Sequence, residues 1–70
     1  MVLSDVSSER AVRAFSKAGF RIIRDKDKHT IMSNGNDTIS IPRHKRLNPF
    51  TLKAIIEDAG LSEQEFKNLL

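Results

Sequence analysis

Around Gly19 the spacing of apolar residues changes period, and that change constrains what this chain can fold into more than any other feature. Up to that point Ala11, Val12, Ala14, Phe15 and Ala18 recur at the i, i+3, i+4, i+7 spacing of a one-sided helix, which is predicted over residues 6–18. Ser7 is placed as its N-cap, Glu9 complements the helix dipole in the first turn, and Val6 is positioned to staple onto Ala11. Gly19 supplies the left-handed residue that ends a helix, with Phe20 placed to pack back on Phe15. Beyond it the helical period disappears, and β-branched residues separated by turn-formers predict three short strands over 20–24, 29–33 and 38–41. Residues 25–28 form a charged connection without Gly or Pro, and Asn34-Gly35-Asn36 provides a tight hairpin.

The helical period returns after Pro42, which lacks an amide donor and closes the third strand. Arg43-His44-Lys45-Arg46 is a basic loop leading to Asn48-Pro49, a favoured N-cap and first helical residue. Leu52, Ile55, Ile56 and Ala59 make the next apolar stripe, and Gly60 ends it. Ser62-Glu63-Gln64-Glu65 matches a capping box, followed by Phe66, Leu69 and Leu70 as the apolar face of a short final helix. The expected fold class is α+β, in the order α-β-β-β-α with a short C-terminal helix. A three-stranded antiparallel meander carries the helices on one face. Phe15, Phe20 and Phe66 fall on apolar stripes or at a helix end, so core packing is expected for them ahead of base stacking. The facing of the second strand stays open: burying Ile31 carries His29 inward, and burying Met32 with Thr30 sends His29 out.

Seventy residues are expected to make a single domain spanning 1–70, near the size at which folding buries only about 60% of the unfolded surface. There is no Cys, and the two His residues stand apart from any acidic cluster of ligand spacing, so no metal or other cofactor is expected. The longest apolar runs are pairs such as Ile22-Ile23, and residues 1–9 have neither a basic nor an apolar leader segment. A cytoplasmic protein with no membrane partner is expected. Lys and Arg number 12 against 9 Asp and Glu, a formal charge of +3. The cations concentrate in residues 10–28 and 43–46, flanking the two His residues, while residues 57–70 are acidic. That distribution favours a polyanionic partner.

One ordered set of residues is recognisable. Ala18-Gly19-Phe20 is followed by a His opening the second strand, then by Ile41-Pro42-Arg43-His44. After these come Thr51-Leu52-Lys53-Ala54-Ile55-Ile56-Glu57-Asp58-Ala59-Gly60-Leu61 and Glu65-Phe66. Together they resemble the HicA (YcfA-like) family of bacterial toxins over nearly the whole chain. The resemblance implies a fold like that of a double-stranded-RNA-binding domain and metal-independent cleavage of mRNA. It also implies inhibition by a cognate HicB antitoxin, and a catalytic role for His29. In one respect the sequence departs from the family, which usually writes Gly-Ser-His or Gly-Gly-His at this turn. Here Asp27-Lys28-His29 lacks the glycine that lets a phosphate approach the backbone closely, and Lys28 offers a charge in its place.

The chemistry so implied suits the residue types. In RNA the 2′-hydroxyl lies beside the scissile phosphate and needs only deprotonation and in-line alignment. An imidazole, with an ordinary pKa of about 6.5, is fitted to move that proton near neutral pH. Lys28, Arg43 and Lys45 are the candidates to hold phosphoryl oxygens, and His44 to organise the loop or position RNA. Arg21 and Arg24 are candidates for the exposed sheet surface, with keeping an edge strand soluble as the reading preferred, and Arg10, Arg13 and Lys17 are read as solvent-facing ahead of following a phosphate backbone. Two other readings compete. A non-catalytic RNA-binding domain of the same fold differs only at His29. A helix-turn-helix DNA-binding protein would use the two helices meeting at Gly60, but its recognition helix would begin with carboxylates.

Overall fold

The structure, a computed structural model, describes residues 5–26 and 28–70. Its elements are α1 (Ser8–Lys17), β1 (Arg21–Lys26), β2 (His29–Ser33), β3 (Thr38–Pro42), α2 (Pro49–Asp58) and α3 (Glu63–Leu69). The expected α-β-β-β-α order with a short C-terminal helix is the observed one. The strands form an antiparallel meander in the order β1-β2-β3.

Side chains and glycines set the helix boundaries. At the start of α1, Ser7 Oγ accepts the Arg10 amide at 3.2 Å, satisfying one of the donors a helix N-terminus leaves unpaired. At its end Gly19 takes φ +98°, and the Phe20 and Gly19 amides donate to the Phe15 and Ser16 carbonyls at 3.0 and 3.1 Å. This is a Schellman motif. Its hydrophobic contact is the Phe15–Phe20 pair, edge to face with ring centroids 5.8 Å apart. Helix α2 opens on Asn48, whose Oδ1 accepts the Phe50 amide at 2.8 Å, with Pro49 in the first turn. It closes on Gly60 with the same pair of bonds, Leu61 to Ile56 and Gly60 to Glu57. The Ser62–Glu65 capping box is complete, with reciprocal bonds of 3.1 and 2.9 Å.

One hydrophobic core lies between the helices and one face of the sheet. It gathers Val6, Ala11, Ala14 and Phe15 with Phe20, Met32, Ile39 and Ile41, and with Leu47, Leu52, Ile55, Ile56, Ala59 and Phe66. Phe66 docks α3 onto α1 through Phe15, ring centroids 4.9 Å apart. Leu47 follows directly on the basic loop, yet it is fully buried. Its amide donates to the Val6 carbonyl at 2.8 Å, and the Ser8 amide to the His44 carbonyl at 3.0 Å, so the loop runs alongside the entry to α1.

Three expectations need correction. Strand β1 starts at Arg21 and continues through Asp25 and Lys26, because these pair with Thr30 and His29, so two residues of the expected charged connection belong to the strand and Lys28 lies in a turn. Asp27 itself lies outside the described residues, as do residues 1–4. Pro42 belongs to β3, pairing with His29; as the last residue of an edge strand it is tolerated there without a donor. Leu70 falls beyond the last turn of α3 and is 39% exposed, leaving Phe66 and the partly buried Leu69 as that helix's apolar face. Phe50, the one aromatic residue off the apolar stripes, is exposed on α2.

Candidate functional site

The facing of β2 follows from its packing. Met32 and Thr30 are buried on the core face, while His29, Ile31 and Ser33 occupy the opposite, open face. Met32 wins over Ile31 because its cross-strand partner Ile39 and the neighbouring Ile41 point into the same core, and partners directly opposite share a face. His29 is therefore an exposed imidazole at the entrance of the central strand, between Lys26 on β1 and Pro42 on β3.

Strand β1 contains a bulge between Ile22 and Arg24. One extra residue shifts the alternation by one, so Asp25 comes to the core face opposite Thr30. There its carboxylate accepts the Thr30 hydroxyl at 3.2 Å and forms an ion pair with Arg43. Both partners of the pair are about half exposed, so its worth is below about 1 kcal/mol. Its structural consequence is to anchor the basic loop against the sheet. A second tie joins the loop to the turn, since the Arg43 amide donates to the Lys28 carbonyl at 2.9 Å. Arg46 is paired with Asp5 at 2.9 Å.

The sequence-derived candidates thus divide. Arg43, His44 and Lys45 line a groove of about 870 Å³ between α1 and the sheet, together with Ser7, Glu9, Arg13, Asp25 and Thr30. His29 lies on the other side of the sheet, and Lys28 in the turn joins the two through its carbonyl. The Arg43 guanidinium is engaged by Asp25. Asp25, Thr30 and Lys26 are parts of this region that sequence reasoning does not single out. An extended β1 would have revealed Lys26 as the neighbour of His29, but nothing in a run of charges marks where a strand ends. Among the described residues no group of three or more His, Cys, Asp or Glu side chains is placed to hold a metal ion.

Residues 8–61 match the family model described as the HicA toxin of bacterial toxin-antitoxin systems. The chain belongs to the HicA toxin family. The HicA match spans α1 to the end of α2 and takes in His29, Lys28 and the basic loop, with α3 beyond it. A search of curated proteins finds no match. Membership of the HicA family gives the chain the role of a toxin in a toxin-antitoxin system, with an antitoxin as its partner. Among the described residues no helix is long and apolar enough to cross a membrane.

Proposed function

We propose that this HicA toxin is a metal-independent endoribonuclease that cleaves mRNA in the cytoplasm as a single domain and is held inactive by a HicB-type antitoxin. The observation that carries this reading is the exposed imidazole of His29, set at a strand entrance with lysines on both sides of it, at positions 26 and 28. In this reading His29 takes the proton of the 2′-hydroxyl, and the resulting oxygen attacks the adjacent phosphorus in line. The P–O5′ bond breaks, and the 5′-oxygen leaves with a proton returned from the imidazolium or from water. The products are a 2′,3′-cyclic phosphate and a 5′-hydroxyl. The nucleophile belongs to the substrate, so the protein has only to move a proton and hold charge. Lys28 is assigned to the phosphate at His29; Lys45, and Arg43 when it leaves Asp25, are assigned to flanking phosphates where the strand passes the groove on the other side of the turn, and His44 positions the loop or the RNA.

The test is incubation of purified protein with RNA in the presence of a chelator, wild type beside His29→Ala. Loss of a general acid or base lowers the rate by about 10²–10⁴-fold. Because His29 is exposed, the variant is expected to keep the wild-type circular dichroism and melting temperature. Undiminished cleavage by His29→Ala would remove His29 from the mechanism. RNA binding by the wild type without cleavage would make the chain a non-catalytic member of the fold, and cleavage abolished by the chelator would refute metal independence. Growth arrest on expression, relieved by co-expressed antitoxin, is the expected companion result.

A further inference from the structure

The bulge in β1 sorts charge between the two faces of the sheet. In a regular strand Arg21, Ile23 and Asp25 would share one face and Ile22, Arg24 and Lys26 the other, dividing the cations and setting a carboxylate on the same face as Arg21. With the bulge, the pairing gives three rows across the open face: Arg21–Ser33–Thr38, Arg24–Ile31–Ser40 and Lys26–His29–Pro42. All three cations of β1 now stand on one face, in a line along the edge strand, and none of the residues in these rows is acidic. Asp25 has been moved to the core face, where Thr30 and Arg43 occupy it. Solubilising an edge strand, the role the sequence suggests for Arg21 and Arg24, requires charge but not its segregation.

We infer that the open sheet face binds the sugar-phosphate backbone of single-stranded RNA, through a cationic ridge of Arg21, Arg24 and Lys26 that leads to His29. The inference rests on the endoribonuclease reading for the identity of the strand and adds to it the residues that lay the strand down. Arg24 and Lys26 are two residues apart on the same face, roughly 7 Å along the strand, a step comparable to neighbouring phosphates in an extended chain. Lys26 shares its row with His29, so a phosphate held by Lys26 lies next to the imidazole. Ser33, Thr38 and Ser40 provide hydroxyls across the sheet for ribose and phosphate oxygens. The chemistry of the face favours nucleic acid over a protein partner. The one large apolar side chain in the three rows, Ile31, is half-buried, whereas a protein interface needs an apolar centre. Of the strongly exposed apolar residues, Ile22 is on the core face opposite Met32, Phe50 is on α2, and Ile23 is the extra residue of the bulge, without a cross-strand partner. With no aromatic residue on the ridge, binding is expected to be tolerant of sequence.

The experiment measures affinity for a short, labelled, mixed-sequence RNA methylated at every 2′-oxygen, which cannot be cleaved by 2′-attack. Wild type is compared with Arg21→Gln, Arg24→Gln, Lys26→Gln and the triple variant across a salt series. Lys17→Gln and Lys53→Gln, exposed cations on α1 and α2, serve as controls, and unchanged melting curves confirm folding. Each ridge variant is expected to weaken binding and lower the slope of log affinity against log salt by about 0.7, the triple variant by about 2, with the controls unchanged. Wild type that fails to bind the oligonucleotide overturns the inference, as does equal affinity in the ridge variants. Ridge variants that bind RNA normally but lose the antitoxin make the face a protein-binding one and overturn it too. Ridge-dependent binding by a wild type that cleaves no RNA leaves the ridge standing and removes the endoribonuclease reading. Cleavage by wild type with ridge-independent binding does the reverse.

Discussion

Asp25 shows how one carboxylate can serve a cationic site. It stands within a basic stretch and is directed to the core face, where it accepts from Thr30 and ties Arg43 to the sheet. Asp25→Asn removes the charge while leaving an oxygen for Thr30. Since the ion pair is half exposed, a loss below about 1 kcal/mol is expected, read as a shift of a few degrees in melting temperature. The same variant frees the Arg43 guanidinium and adds a positive charge to the molecule, so affinity for RNA should rise, most clearly at low salt. Weaker binding would show that the Asp25 anchor matters more than the charge it masks. Phe15 lies at the other extreme. It is fully buried and contacts both Phe20 and Phe66, so Phe15→Ala should cost about 3–5 kcal/mol. In a chain of about 70 residues a single core rarely supplies more than about 3–5 kcal/mol, so this variant is expected to be largely unfolded by circular dichroism.

At the scale of elements, the helices stop where glycine permits and start where a side chain substitutes for the missing turn. A methyl group on Gly19 would meet nothing within 4 Å, so Gly19→Ala tests backbone strain alone at φ +98°. A cost of about 1–2 kcal/mol is expected, seen as a lower urea midpoint with an unchanged slope. A neutral result would show that the turn relaxes without the left-handed residue. Ser62→Ala removes half of the capping box of α3 and should cost about 1 kcal/mol by the same measurement. The two Schellman ends act in tertiary structure as well, since each returns an apolar residue, Phe20 or Leu61, to the core straight after its helix.

For the whole molecule, a single small core holds three strands of unequal protection. β2 is paired on both sides, whereas all six residues of β1 are exposed and its outer edge has no partner among the described residues. Amide exchange should therefore be slowest at Thr30 and Met32 and fast along the outer edge of β1, which leaves the cationic ridge on the most adaptable strand. Comparable protection in β1 and β2 would contradict this. The order of elements, both glycine-ended helices, the capping box and the hairpin at Asn34–Gly35 are legible in the chain alone, because each is specified within a few residues. The sequence also carried the ordered motifs that mark the HicA family. The tertiary structure alone decided which way His29 faces, where β1 ends, and that Arg43 is held by Asp25. Strand β2 offers one apolar residue to each face, Ile31 and Met32, so local pattern cannot choose between them. The choice belongs to Ile39, Ile41 and the helices behind them. A bulge has no distinctive residue either: the extra residue in β1 is set by how its charges pair with a strand that lies beyond the turn.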